Sequence, residues 1–186
     1  AITERGGLTA QSALADAPRA RTLDGAERGA PRANIVNRAT AGRSLVATDV
    51  RQEAELSRFG ELVVGSWTAP DSRHTFEWGV DRKVLKSASY GLDGDDWQLV
   101  SEGFWYWDPA AGVIRGRTVA VGMGIDLFEY TSRIADSGNE IVHELIAHGQ
   151  ISGSFIERWR FEGDSYVWTL EQEGARVMGG EYRRVR

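Results

Sequence analysis

In the run Phe155-Ile156-Glu157-Arg158-Trp159-Arg160-Phe161, one carboxylate and two guanidiniums alternate with three aromatic rings. Alternation by twos is the period of a β-strand. Glu157 then shares a face with Phe155, Trp159 and Phe161, while Arg158 and Arg160 join Ile156 on the other. A carboxylate set among rings costs several kcal/mol unless it is paired or protonated. A raised pKa there would suit a general acid or base at neutral pH. His143 aligns with Ile141 and Leu145, and His74 with Phe76 and Trp78. A hydrogen-bonded core histidine accounts for either imidazole without any chemistry. Glu157 and His143 are the candidate catalytic groups. The candidate ligand contacts are His74, Trp78, Trp105, Trp107, His143, Glu157, Arg158, Trp159, Arg160 and Trp168.

Other chemistries find no support. The chain has no cysteine, which removes thiolate catalysis, disulfides and Cys-ligated metals. His143 and His148 are five apart, on opposite faces of one strand, so they do not share a metal, and no metal or cofactor is expected. There is no Gly-x-Ser-x-Gly elbow, His-Glu-x-x-His helix or phosphate loop. A net charge of −5 and a pI near 5.3 argue against a nucleic-acid partner. Apolar runs are short, as in Leu62-Val63-Val64-Gly65, and no membrane span is expected. No secretory apolar core is found, so a cytoplasmic location is expected.

The elements that must hold these groups begin after an unpromising leader. Residues 1–48 contain no Phe, Trp or Tyr, and all 18 aromatics fall between Phe59 and Tyr182. The leader carries seven arginines against four acids and reads as a flexible, poorly structured segment. Residues 49–186 carry the remaining 15 basic and 23 acidic groups, a net −8, and form the domain. Asp49 with Gln52 can cap a short helix whose Leu56 and Phe59 share a face and which Gly60 can end.

From residue 61 short β-branched and aromatic segments are separated by turn signals such as Asp93-Gly94-Asp95 and Asp136-Ser137-Gly138-Asn139. Strands are expected to start near residues 61, 73, 83, 96, 112, 125, 140, 154, 165 and 176. No interval is long enough for a helical crossover, so neighbours pair antiparallel. An open sheet of this size leaves two exposed edges, which closure removes. The expected architecture is all-β: an antiparallel up-and-down barrel of about 8–10 strands with a short N-terminal helix, enclosing space for a small ligand.

Gly103-Phe104-Trp105-Tyr106-Trp107-Asp108 puts Trp105 and Trp107 on one face and Phe104 and Tyr106 on the other. Core packing alone explains one such face. Trp67, Trp78, Trp105, Trp107, Trp159 and Trp168 are spread over five segments, however, and six indoles converging on one lumen make an apolar wall for a ring-shaped ligand.

Gly65-Ser66-Trp67 resembles the Gly-x-Trp signature on the first strand of lipocalins and their calycin relatives. In that group the Trp closes one barrel end and a late arginine lies across it. The resemblance therefore implies structural roles for Trp67 and for an arginine of Glu181-Tyr182-Arg183-Arg184-Val185-Arg186, with Arg184 the choice. The preceding helix is similar to that of bacterial lipocalin-like domains. The haem-binding relative nitrobindin extends the signature to Gly-x-Trp-x-Gly-x-Gly; Pro70 and Asp71 break that pattern here, so no haem is implied. The function implied is binding of a small hydrophobic or aromatic molecule in the lumen. The alternatives are an enzyme of cyclase or isomerase type on the same scaffold, using Glu157 or His143, and a homo-oligomeric structural barrel whose outer Phe104 and Tyr106 meet a second subunit.

Overall fold

Glycine-, aspartate- and asparagine-rich turns cut the chain every ten residues or so, and between them β-branched and aromatic residues favour extended backbone. The computed structural model describes residues 54–186 apart from 123. The expected leader (1–48) and the Asp49–Gln52 cap lie outside the described residues. Helix α1 covers 54–63. The strands are β1 (Gly65–Thr68), β2 (Ser72–Trp78), β3 (Val84–Asp93), β4 (Asp96–Asp108) and β5 (Val113–Ala120). They continue with β6 (Ile125–Ile134), β7 (Glu140–Gly149), β8 (Gly153–Glu162), β9 (Ser165–Gln172) and β10 (Ala175–Arg184). Each pairs antiparallel with its sequence neighbour, and β1 pairs with β10 to close the barrel.

One expectation is overturned at the start. The strand read from residue 61 is helix as far as 63, and Gly60 lies inside that helix. The β-branched Val63 and Val64 belong to its end because tertiary contacts hold them there. Trp67 Nε1 donates to the Val63 carbonyl at 2.7 Å. Arg184 donates to the carbonyls of Val64 at 2.8 Å and Leu62 at 3.2 Å. Three carbonyls at the helix end, which have no partner within the helix, are thus satisfied from the barrel. The Arg184 guanidinium carbon also lies 4.3 Å from the Trp67 ring centroid. Gly65 has φ +127°, where a side chain is strained, and a Cβ there would press on the Arg184 head.

Helix α1 plugs one end of the cylinder with Leu56, Phe59 and Val63, at i, i+3 and i+7. They pack on Trp67, Leu85, Trp107, Ile114, Ile141 and Phe161, which come from the strand ends nearest the helix. These buried side chains form one continuous cluster that closes this end of the barrel. At the opposite end a smaller cluster of Ile125, Leu145, Ala147, Phe155 and Leu170 gathers under the β5–β6, β7–β8 and β9–β10 turns. The outer wall carries ion pairs on most strands, among them Lys86–Glu77, Arg117–Glu129, Arg160–Glu162 and Arg183–Glu181. Such a wall suits water; a lipid-facing barrel needs an apolar band. Among the described residues no helix is long and apolar enough to cross a membrane.

Candidate functional site

Register decides which side chains meet inside. Ser87 pairs with Gly103 and Gly103 with Thr118, while Ser89 pairs with Ser101. Away from α1, beyond Leu85, Trp105 and Ile114, the inner faces of β3, β4 and β5 carry small residues. Opposite stand Tyr130, Leu145, Phe155, Trp168 and Leu170. Large side chains on one wall only do not fill the cylinder. A cavity of about 240 Å³ remains between the aromatic plug and the end away from α1. That is slightly below the usual range of ligand pockets, about 300–1,000 Å³, and suits a ligand of one or two rings.

Its wall is built from three indoles. Trp105 and Trp159 have centroids 6.2 Å apart, and Trp168 sits across the register from Trp159. Trp105 faces Gly116 on β5, and its ring occupies the space a Cβ would take there. Phe76 (5.6 Å from Trp159) and Tyr130 (5.3 Å from Trp105) extend the aromatic surface. Trp105 and Thr118 line the cavity, but Trp105 Nε1 is turned towards Gly116 and Thr118 Oγ1 towards Gly103; both atoms are buried without a hydrogen-bond partner of good geometry, although Thr118 lies beside Tyr130.

Glu157 also lines the cavity, on β8, directly across from His143 on β7. Its Oε1 accepts a hydrogen bond from Trp159 Nε1 at 2.8 Å. No cation reaches it among the described residues. Burial pushes its carboxyl up to about 7, a rise that the Trp159 bond only partly opposes. Its negative charge, in turn, adds to burial in raising the phenols of Tyr130 and Tyr166. His74 lines the cavity, shares a 2.8 Å hydrogen bond between Nδ1 and the Tyr166 hydroxyl, and is lowered by burial to about 4. Its ring stacks on Tyr182, 4.4 Å between centroids. Burial pushes Tyr182 itself up to about 12, against its 2.7 Å hydrogen bond with Ser72.

The structure separates the remaining sequence-expected residues. His143 points inward but stops short of the cavity, fully enclosed behind Trp159 at 4.4 Å between centroids. Its Nδ1 is bonded to Ser132 Oγ at 2.7 Å, its Nε2 has no partner, and burial lowers it to about 3. Trp78 and Trp107, expected at the ligand, belong instead to the plugged end: Trp78 covers Gly60 of α1 and lies under Arg82, and Trp107 is buried there. Arg158 and Arg160 stand on the outer wall, where Arg158 pairs with Glu140 and Glu171 and Arg160 with Glu162. Neither reaches the lumen, because alternation turns them away from Glu157. Trp105, Trp159, Trp168, His74 and Glu157 are the expected residues brought together. Sequence reasoning missed Tyr130, Thr118 and the serines of β3 and β4. Their only signal was the alternation of small residues in Ser87-Ala88-Ser89, which is informative only once the facing strands are known.

The chain matches no family model, and neither a curated protein nor a solved structure is detectably similar to it. The closed ten-stranded up-and-down barrel is compatible with a calycin-like fold.

Proposed function

We propose that the barrel is a binding module of lipocalin-like type, holding a small hydrophobic or aromatic molecule in its lumen. The observation that carries this reading is the cavity itself: about 240 Å³ walled by Trp105, Trp159 and Trp168, with the carboxyl of Glu157 in its lining. The acidic domain, net −8 over residues 49–186, offers nothing to a phosphate backbone, so nucleic acid is not among the partners.

The test is to fill the hollow. Ser87→Phe places a ring where the wall is small. An environment-sensitive hydrophobic dye that quenches tryptophan emission in the parent protein is expected to lose at least about tenfold in affinity in this variant. Equal dye binding by both proteins would place the site elsewhere. Native mass spectrometry of freshly purified protein then identifies the class of any retained molecule.

One observation favours a second reading, a cyclase- or isomerase-type enzyme. A carboxyl titrating near 7 beside Tyr130 is suited to acid–base catalysis at neutral pH. Conversion of the retained molecule by the parent protein, lost in Glu157→Gln, would establish it. A homo-oligomeric barrel rests on Phe104 and Tyr106, which are 42% and 37% exposed on the outer wall. Sedimentation of a monomer at working concentration removes that role.

A further inference from the structure

The lumen contains one carboxyl deep inside and nothing to neutralise it. None of the lysines or arginines among the described residues lines the cavity. The two nearest Glu157 along β8, Arg158 and Arg160, are turned outward and already engaged with Glu140, Glu171 and Glu162. The two inner histidines cannot substitute. Each has its Nδ1 bound to a hydroxyl, of Tyr166 for His74 and of Ser132 for His143. Packed rings surround both. Asp71, at the rim, adds a second acidic group to the lining and no compensating base.

Trp105, Trp159, Trp168 and Tyr130 supply aromatic rings to the wall, and the face of an aromatic ring is the negative part of its quadrupole, to which a cation is drawn. The hydroxyls of Ser87, Ser89 and Thr118 on the small wall can accept hydrogen bonds from a ligand N–H. A carboxylate ligand would meet Glu157 and Asp71 with no cation in the lining; Arg73, close to Asp71 in the chain, is held over the rings of Tyr90 and Trp97. A wholly apolar ligand would leave Glu157 to bury a bare carboxyl or a proton.

We propose that the lumen selects a small organic cation, a primary ammonium or amidinium on a ring-bearing body, with its charge against Glu157 and its ring against the three indoles. The proposal deepens the binding reading above and rests on it. It names the chemical class that the unpaired carboxyl and the aromatic wall recognise together. In the ligand-free protein Glu157 holds its proton to about pH 7, so binding a cation there displaces that proton. The titratable groups facing Glu157 are His74 from β2, Tyr90 from β3, Tyr130 from β6, His143 from β7, Tyr166 from β9 and Tyr182 from β10, with Asp71 at the rim. The buried phenols stay protonated and the imidazoles neutral at pH 7, which leaves the carboxyl as the group that responds.

Three ligands of one size test this: phenethylamine, phenethyl alcohol and phenylacetate, titrated calorimetrically into the full chain with a neutral hydrophobic dye as the control. At pH 8 the amine is expected to bind at least about tenfold more tightly than the alcohol, and the carboxylate not measurably. The amine-to-alcohol ratio should fall towards one at pH 5.5 and in Glu157→Gln. Because it is a ratio within one protein, general loosening of the variant moves both ligands together. In the parent protein near pH 6.5, amine binding should release a proton, read from buffers of different ionisation heat; this arm needs no variant. Alcohol binding as tightly as amine at pH 8, or no proton release, overturns the cation proposal while leaving the lumen as the site. Failure of all three ligands and of the dye overturns the binding reading as well.

Discussion

Burial moves the carboxyl of Glu157 in a direction that makes it a stability switch in the ligand-free protein. Its pKa is about 7 in the folded chain against 4.5 for an unburied carboxyl. Between those values the folded state holds a proton that the unfolded state has released, so stability falls as pH rises through the window. The contribution is fully present below pH 4.5 and gone above pH 7. Glu157→Gln cannot ionise and keeps nearly the same shape. It should be more stable than the parent at pH 8, by on the order of 2 kcal/mol, with the advantage fading by pH 5. Urea unfolding at the two pH values measures this directly. Equal midpoints at pH 8 would mean that the carboxyl is ionised at little cost, with water in the cavity solvating it.

The elements owe their positions to a few cross-barrel contacts. The contact between α1, β1 and β10 runs through Arg184, which both covers Trp67 and ties the helix carbonyls. Arg184→Met keeps length and loses both. A loss of about 2–4 kcal/mol is expected, partly restored by Lys, and is read from urea midpoints. On β5, Gly116→Ala would drive a Cβ into the Trp105 ring. Overpacking of this kind costs about 1–3 kcal/mol, and near-ultraviolet circular dichroism should report the displaced indole. Strand positions were legible in the sequence because every hairpin turn except Gln150-Ile151-Ser152 carries its own Gly, Asp or Asn chemistry, which is local. Inward and outward faces were legible for the same reason: Trp105 and Trp107 are buried while Phe104 and Tyr106 are exposed, as alternation requires. Three things were not legible. Alternation gives a face but no depth along the barrel axis, so Trp78 and Trp107 were placed at the ligand when they belong to the plug. The hollow depends on Ser87, Gly103 and Thr118 lying side by side on three strands, and that register cannot be read from one strand. The end of α1 escaped notice because Val63 and Val64 favour strand locally while Trp67 and Arg184, distant in sequence, hold them at the helix terminus.

Taken whole, the barrel is two chambers in one cylinder, a plug under α1 and a hollow above it, with His143 at the boundary and His74 in the hollow. Both histidines are neutral in the fold, lowered to about 4 and about 3 from 6.5. Below pH 6.5 the unfolded chain takes up protons that the folded barrel refuses, so each histidine removes stability as pH falls towards its folded value. Glu157 acts in the opposite sense between 7 and 4.5. Two losses against one gain leave a net fall on the order of 2–3 kcal/mol between pH 7 and pH 4. His143→Gln keeps a hydrogen-bonding side chain next to Ser132 and removes one of the two proton acceptors. Its absolute stability will differ from the parent's, so the informative quantity is the slope of unfolding free energy against pH. That slope should be visibly shallower in the variant between pH 6 and pH 4. An unchanged slope would show that the imidazole is protonated within the folded barrel, and that water reaches the boundary between the two chambers.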